Sequence, residues 1–107
     1  MTDRPPFTQV FAPETIDHLA VIERKYHGLI QQAIDEQISY TPEQATRNRK
    51  PLEQPAPFGA TWELRCGPHN RFRVFYEVDA DLRTVAILAI GIKIRDHLFV
   101  GGKEIKR

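Results

Sequence analysis

The sequence predicts an α+β domain with a mostly antiparallel sheet, in the order β-α-α-β-β-β, and three observations support this prediction. A chain of 107 residues with 41% hydrophobic side chains can bury one core, so we expect a single domain over residues 1–107. Residues 61–78 form two runs of alternating polarity around a Gly67-Pro68-His69-Asn70 turn, which is typical of a β-hairpin. Two segments of helical periodicity precede this hairpin, and an apolar run follows it.

The first 40 residues predict a strand followed by a helical hairpin. Residues 7–11 suit a short strand after a proline pair. Residues 14–26 repeat apolar side chains with the helical period, and residues 29–39 do so through Ile30, Ile34 and Ile38, so we expect two helices joined near Gly28. Both are too short to be stable alone, and their apolar faces should lie on the sheet.

The rest of the chain predicts an irregular loop and a central strand. Residues 40–60 contain four prolines and no clear periodicity. Residues 84–90 are almost entirely apolar, which favours a strand buried on both faces. Because the helices would cover only one face, we expect the C-terminal segment or a partner protein to cover the other. Residues 98–106 suit one further short strand and a turn.

Several classes of site are not supported by the sequence. His18, His27, His69 and His97 lack metal-ligand spacing, and the first two are expected at the surface. From this spacing we expect no metal site. No glycine-rich phosphate loop precedes a helix, so we expect no nucleotide cofactor either. Cys66 falls on the apolar side of its strand, as a buried thiol would in a reducing compartment. No secretory signal or membrane-spanning run is visible, so we expect a cytoplasmic protein without membrane contact.

What remains is an excess of cations in the second part of the chain. Residues 1–40 carry 3 basic and 6 acidic side chains, whereas residues 41–107 carry 12 basic and 8 acidic ones. A solvated surface of uneven charge would explain this pattern, and so would a site for an anionic partner. The basic side chains concerned are Arg47, Arg49, Lys50, Arg65, Arg71, Arg73, Lys93 and Arg95.

A cationic sheet face can bind a phosphate backbone, but cleaving RNA requires more. One group must take the proton from the 2′-hydroxyl, another must protonate the leaving oxygen, and cations must stabilise the charged phosphorane. Arg65 and Arg73 share the polar side of adjacent strands and are candidates for the cations. Glu63 is a candidate base, and His97 or His69 a candidate acid. A purely structural role for these residues remains the alternative.

The order of these motifs resembles the RelE/ParE superfamily of type II toxin–antitoxin toxins. The resemblance rests on Trp62-Glu-Leu-Arg65, Arg73-Val-Phe-Tyr76, the run from Val85 to Gly91 with its basic tail, and Arg47-Asn-Arg-Lys-Pro-Leu52. It implies a RelE-like fold and a cognate antitoxin as partner. In the RelE branch the toxin is a ribosome-dependent mRNA endoribonuclease that inhibits translation. In the ParE branch it inhibits DNA gyrase without cutting RNA, and a non-toxic homologue that only binds an antitoxin is a third alternative.

The resemblance also suggests roles for single residues. Arg73 matches the catalytic arginine of RelE, and Lys93, with Arg95 as a substitute, matches a basic residue after the buried strand. Thr61 and Glu63 stand where RelE has lysines, and Phe99 stands near its C-terminal tyrosine, where it can stack on a base but not transfer a proton. The expected catalytic set is therefore Arg73, Arg65, Lys93, Glu63 and His97, and the expected RNA contacts are Arg47, Arg49, Lys50, Arg71, Arg95 and Phe99.

Overall fold

A computed structural model describes residues 4–106, and its elements follow the predicted order with additions at the sheet edges. Two helices and seven strands are present in this part of the chain: β1 (Thr8–Phe11), α1 (Thr15–Ala20), α2 (His27–Ile38), β2 (Arg49–Pro51), β3 (Trp62–Cys66), β4 (Phe72–Asp79), β5 (Thr84–Ile94), β6 (His97–Val100) and β7 (Lys103–Ile105). Neither helix is long and apolar enough to cross a membrane.

The sheet has the order β2-β3-β4-β5-β6-β7, with every neighbouring pair antiparallel. Strand β1 lies parallel to the first part of β5, where Thr8 pairs with Thr84 and Phe11 with Ile87. Strand β6 pairs with the last part of the same edge, from Gly91 to Ile94. The α+β class and the hairpin at residues 61–78 are thus confirmed, and β2 and the β6–β7 hairpin extend the sheet further than predicted.

The helical hairpin differs from the prediction in its first helix. Helix α1 ends at Ala20, and residues 21–23 break the helix before a 3₁₀ turn at Arg24–Tyr26. The break turns Ile22 into the core, and the His27 ring lies 2.8 Å from the Ile22 carbonyl oxygen at this point. Helix α2 then begins at His27, so Gly28 lies in its first turn and does not link the helices.

The two faces of the sheet carry separate apolar cores. Ile30, Ile34 and Ile38 of α2 are buried on the first face, as their spacing predicted. The second face carries Phe75, Ala89, Leu98, Val100 and Ala60, with Leu52 and Ile105 packed against them. The central strand is therefore buried on both faces, and its second face is covered by the C-terminal strands together with the loop after β2.

Two buried polar side chains attach the loop after α2 to the rest of the fold. The Arg49 guanidinium donates hydrogen bonds to the carbonyl oxygens of Gln37 and Thr41. The Tyr76 hydroxyl donates to the Pro42 carbonyl oxygen over 2.8 Å, and burial raises the pKa of this phenol. These contacts attach the end of α2 and the start of the proline-rich loop to strands β2 and β4.

Helix α1 closes a gap in the edge of β5. Between the segments paired with β1 and β6, the Ile90 N–H donates to His18 Nδ1 over 3.3 Å. The expectation that His18 is a surface residue is therefore wrong, because its ring is buried and serves as a hydrogen-bond acceptor in place of a strand. Burial lowers the pKa of His18 below its ordinary value of 6.5, against the opposing effects of Glu14 and Asp17.

The His18 contact predicts a pH-dependent stability. The pKa of His18 is lowered in the folded state. The contribution of neutral His18 to the free energy of unfolding is therefore complete above about pH 6.5 and is lost as the pH falls below that value. His18→Asn retains an acceptor near the Nδ1 position but cannot titrate, so its unfolding free energy should fall less between pH 7 and 5 than that of the wild-type chain. His18→Leu should lose about 1–3 kcal/mol at neutral pH, because the Ile90 N–H is left unpaired. Denaturant unfolding at several pH values measures both effects, and equal pH profiles for the wild-type chain and His18→Asn would contradict the assignment.

Candidate nucleic-acid interface

The central polar residues of β3 and β4 lie side by side on the second face of the sheet. Arg65 pairs directly with Arg73, and Glu63 pairs with Phe75 in the next row of that face. Strand alternation sends Trp62, Leu64 and Cys66 to the helical side and leaves Glu63 and Arg65 on the other. The predicted proximity of the two arginines is confirmed.

Glu63 is the centre of a cluster of three cations. Its side chain has no solvent exposure, and its carboxylate oxygens lie 3.8 Å from Lys50 Nζ, 3.8 Å from Arg65 Nε and 3.6 Å from one terminal nitrogen of Arg73. A buried carboxylate needs such partners, because removing it from water costs several kcal/mol. A base must also reach its substrate, and this carboxylate is enclosed. The structure therefore gives Glu63 the position of a counter-charge and not that of an accessible base.

Arg73 is held from two sides. Its side chain is 8% exposed, and it lies between Glu63 and the Asn70 carbonyl oxygen, to which its Nε donates over 3.0 Å. The turn that presents this carbonyl has left-handed backbone at His69 (φ 56°) and Asn70 (φ 52°). Gly67 begins the turn with φ 81°, and a Cβ there would lie 2.3 Å from the Phe72 ring, so only glycine fits without a rearrangement.

A basic hollow of about 460 Å³ opens beside Arg73. Five of its lining side chains are basic and none is acidic; the lining residues are His69, Arg71, Arg73, Lys93, Ile94 and Arg95. Within residues 4–106, Arg71, Lys93 and Arg95 lie in no ion pair with a carboxylate. Their positive charge is therefore available to an anion from outside the chain.

Two expected site residues lie apart from this hollow. Leu98 and Val100 enter the second core, so His97 and Phe99 point to the opposite face of β6 from Arg73. His97 Nδ1 lies 2.6 Å from Glu104 Oε2, and Lys106 Nζ lies 3.3 Å from the same oxygen. The hydrogen bond from His97 lowers the pKa of Glu104 more than any other contact. The structure does not bring His97 or Phe99 together with the arginines.

The basic residues of the loop divide into three environments. Arg47 is exposed, and Lys50 belongs to the Glu63 cluster with a half-exposed side chain. Arg49 is buried with its guanidinium on backbone carbonyl groups, which gives it a structural contact in place of the expected RNA contact. Its position in β2 directs it to the helical side, together with its partner Leu64.

Two residues at this site carry little signal in the sequence. Asn70 holds Arg73 through its backbone, and the Gly67-Pro68 turn is the only feature that suggests such a contact. The Tyr26 ring lies 4.8 Å from the Arg71 guanidinium, although Tyr26 lies at the end of the segment that the helical period predicts as a helix. Only the packing of the hairpin on the sheet brings these two residues together.

Comparison with known proteins identifies the fold. A chain in the crystal structure of the toxin–antitoxin complex RelBE2 from Mycobacterium tuberculosis is similar to this one, with a TM-score of 0.65 and 23% sequence identity. The similarity covers 82% of this chain and 99% of that chain. No protein-family model and no curated protein matches the sequence. The likeness confirms the RelE-like α+β fold that the order of motifs predicted.

The Glu63 cluster predicts a large effect of removing one charge. Glu63→Gln keeps the shape of the side chain but removes the negative charge 3.6 Å from nearly buried Arg73, whereas Lys50 and Arg65 can turn towards water. We expect the free energy of unfolding to fall by about 3 kcal/mol, as for other broken buried pairs. Denaturant unfolding followed by circular dichroism measures this loss.

Glu77→Gln is the matched control for this substitution. Glu77 is an exposed glutamate of β4, so its replacement should change stability by less than about 0.5 kcal/mol. If both variants unfold at the same denaturant concentration, the carboxylate of Glu63 does not organise the cluster.

Proposed function

We propose that the chain is the toxin of a type II toxin–antitoxin system and a RelE-type, ribosome-dependent mRNA endoribonuclease. The observation that carries this proposal is the basic hollow beside Arg73, which is lined by five basic side chains and no carboxylate. Such a hollow suits the phosphodiester backbone of RNA, whose affinity for proteins is dominated by contacts between cations and phosphates. The RelE-like fold is the second support.

In this proposal Arg73 binds the reacting phosphate and stabilises the phosphorane. Its guanidinium is already fixed by Glu63 and by the Asn70 carbonyl group, so little reorganisation accompanies the reaction. Lys93 and Arg95 line the same hollow and add positive charge where negative charge develops. Arg65 lies on the neighbouring strand and shares the Glu63 carboxylate with Arg73, so it adds to the positive potential at the site.

One of the two proton transfers in this proposal falls to His69, and water in the open hollow carries the other. The imidazole of His69 lines the hollow, whereas His97 is bound to Glu104 and Glu63 is enclosed. A catalytic acid or base must come within hydrogen-bond reach of the 2′-hydroxyl or of the leaving oxygen, and among the expected candidates His69 meets this condition best. Glu63 then acts as a positioning residue, because it holds the cations without touching the substrate.

The proposed partner is a cognate antitoxin. The similar structure is a toxin–antitoxin complex, which supports an antitoxin for this chain as well. An antitoxin that covers the basic hollow, or that shifts Arg73 away from Asn70, would suppress cleavage. The ribosome would supply the mRNA substrate in an extended, accessible form.

Inhibition of DNA gyrase is the second candidate function. It is favoured by Thr61 and Glu63, which stand where RelE carries lysines, and by Phe99, which stands near its tyrosine. Induction of the chain in cells separates the two functions when primer extension on mRNA is run beside a gyrase supercoiling assay. Cuts within translated codons support the endoribonuclease, whereas DNA breaks without RNA cuts would replace it with the gyrase inhibitor. Absence of any growth effect would indicate an antitoxin-binding homologue.

Arg73→Lys tests the role of the guanidinium. Lysine preserves the positive charge next to Glu63 but lacks the planar fork that binds a phosphate through two hydrogen bonds. We expect cleavage to fall by about 10²–10³-fold, as when one transition-state donor is removed, with the fold retained. The measurement is the rate of mRNA cleavage on translating ribosomes, with thermal unfolding recorded for each variant.

Lys103→Gln provides the control for loss of a basic residue. Lys103 is exposed on β7 and does not line the hollow, so its replacement should leave the cleavage rate within about twofold, as for substitutions away from a site. A fully active Arg73→Lys variant would rule out the proposed catalytic role of Arg73.

A further inference from the structure

Arg71 differs from the other arginines of the sheet in what holds its guanidinium. The side chain makes no hydrogen bond to another residue between positions 4 and 106, and its Nε is buried from solvent. Aromatic rings hold it instead, with the guanidinium carbon 4.8 Å from the Tyr26 centroid and 5.3 Å from the Phe72 centroid. The two rings also contact each other, with centroids 5.1 Å apart.

This arrangement orients a cation without consuming its hydrogen-bond donors. A guanidinium that lies over an aromatic ring is attracted by the negative face of the ring, and its N–H groups remain free for an acceptor. Arg73 and Arg49, in contrast, already donate to backbone carbonyl oxygens. The rings therefore orient the Arg71 guanidinium, and its terminal N–H groups, which make no hydrogen bond within residues 4–106, are available to an anion from outside.

The position of Arg71 relates it to the reacting phosphate. It precedes Arg73 by two residues, a distance of about 6.6 Å along an extended chain, and both side chains line the basic hollow. Lys25 Nζ lies 5.2 Å from the centroid of the same Tyr26 ring, but it also lies 3.7 Å from Glu23 Oε2, so Arg71 and not Lys25 is the cation at this ring without a carboxylate partner in residues 4–106. If one phosphate of an RNA strand lies on Arg73, a neighbouring phosphate of the same strand comes within reach of Arg71.

We propose that Arg71, held by Tyr26, forms a second phosphate-binding subsite for single-stranded RNA beside the site at Arg73. The subsite takes a phosphodiester that flanks the reacting one, and it places the helical hairpin in contact with the substrate. The inference rests on the proposed function for the identity of the polyanion. Its chemistry is that of proteins that bind single strands by combining cations with aromatic side chains.

The test is binding of a short single-stranded oligoribonucleotide whose 2′-oxygens are methylated, so that it cannot be cleaved. Fluorescence anisotropy gives the dissociation constant of the full chain at several salt concentrations. Arg71→Gln should weaken binding about three- to tenfold and should reduce the slope of log K against log salt by about 0.7, the value of one phosphate contact on a single strand.

Arg83 provides a matched control. Its guanidinium carbon lies 4.3 Å from the Phe7 centroid, so it shares the ring contact of Arg71, but it donates to the Pro5 carbonyl oxygen and lies outside the hollow. Arg83→Gln removes the same charge and the same kind of ring contact, and it should leave the affinity and the salt slope unchanged. If Arg71→Gln behaves like Arg83→Gln, the subsite is disproved.

Tyr26 is tested by a double-mutant cycle, because a merely structural tyrosine would act independently of Arg71. Tyr26→Leu should weaken RNA binding in the wild-type chain and should have no further effect in the Arg71→Gln background, whereas Tyr26→Phe should bind normally. Additive losses would remove Tyr26 from the subsite. Thermal unfolding of each variant confirms that folded protein is compared.

Failure of the Arg71 subsite and failure of the proposed endoribonuclease function give different experimental results. RNA binding that depends on Arg71, without cleavage of mRNA by the wild-type chain, would retain the subsite and reject the endoribonuclease. Cleavage by the wild-type chain, with Arg71→Gln equal to Arg83→Gln, would reject the subsite alone. A wild-type chain that does not bind the oligoribonucleotide would overturn the subsite directly.

Discussion

The arrangement of the polar face depends on the buried carboxylate of Glu63. Three cations on adjacent strands repel one another, and Lys50, Arg65 and Arg73 lie on three neighbouring strands of this sheet. One fully buried acid, within 3.6–3.8 Å of all three, supplies the attraction that holds them together. The enclosed acid in turn requires these cations, because an unpaired buried carboxylate would cost several kcal/mol. The β2–β3–β4 register and the cationic surface are thus coupled.

Two groups of cations with different properties result from this coupling. Arg73 is immobilised by Glu63 and by the Asn70 carbonyl group, and preorganised groups of this kind are suited to a transition state. Arg71, Lys93 and Arg95 lie in no ion pair within the described part of the chain, and such groups are suited to attracting a polyanion. A site that only attracted an anion would not need Arg73 to be buried and held on two sides.

Features that depend on local periodicity could be predicted from the sequence. The alternation of residues 61–78 gave the hairpin and the proximity of Arg65 and Arg73, and the spacing of Ile30, Ile34 and Ile38 gave the buried face of α2. Both patterns are properties of a single element or of a tight turn. The RelE-like fold, in contrast, was implied by the resemblance of the ordered motifs to a known family.

Features that depend on packing between distant segments could not be predicted. Nothing near Glu63 in the sequence indicates that Lys50 would pair with it, because β2 is a three-residue strand inside a proline-rich loop. His18 looked like a surface residue because the acceptor needed by Ile90 lies 72 residues away. The expected helix over residues 14–26 ends at Ala20, and residues 21–23 leave the helical path and bury Ile22, an arrangement that the helical period alone does not indicate.

The position of the hollow at the boundary of the second core strengthens its field. The row that contains Glu63 continues through Phe75 to Ala89, and the row of Arg65 and Arg73 continues through Gly91 to Val100. A side chain at Gly91 would lie 2.9 Å from the Phe99 carbonyl oxygen, so glycine allows β6 to approach β5 beside Arg73. Apolar packing therefore reaches the base of the cationic cluster and excludes water on that side, while the hollow is open on the other. Charges at such a boundary interact with an approaching anion through a medium of lower effective dielectric than bulk water, which gives fixed arginines a larger effect than exposed ones would have.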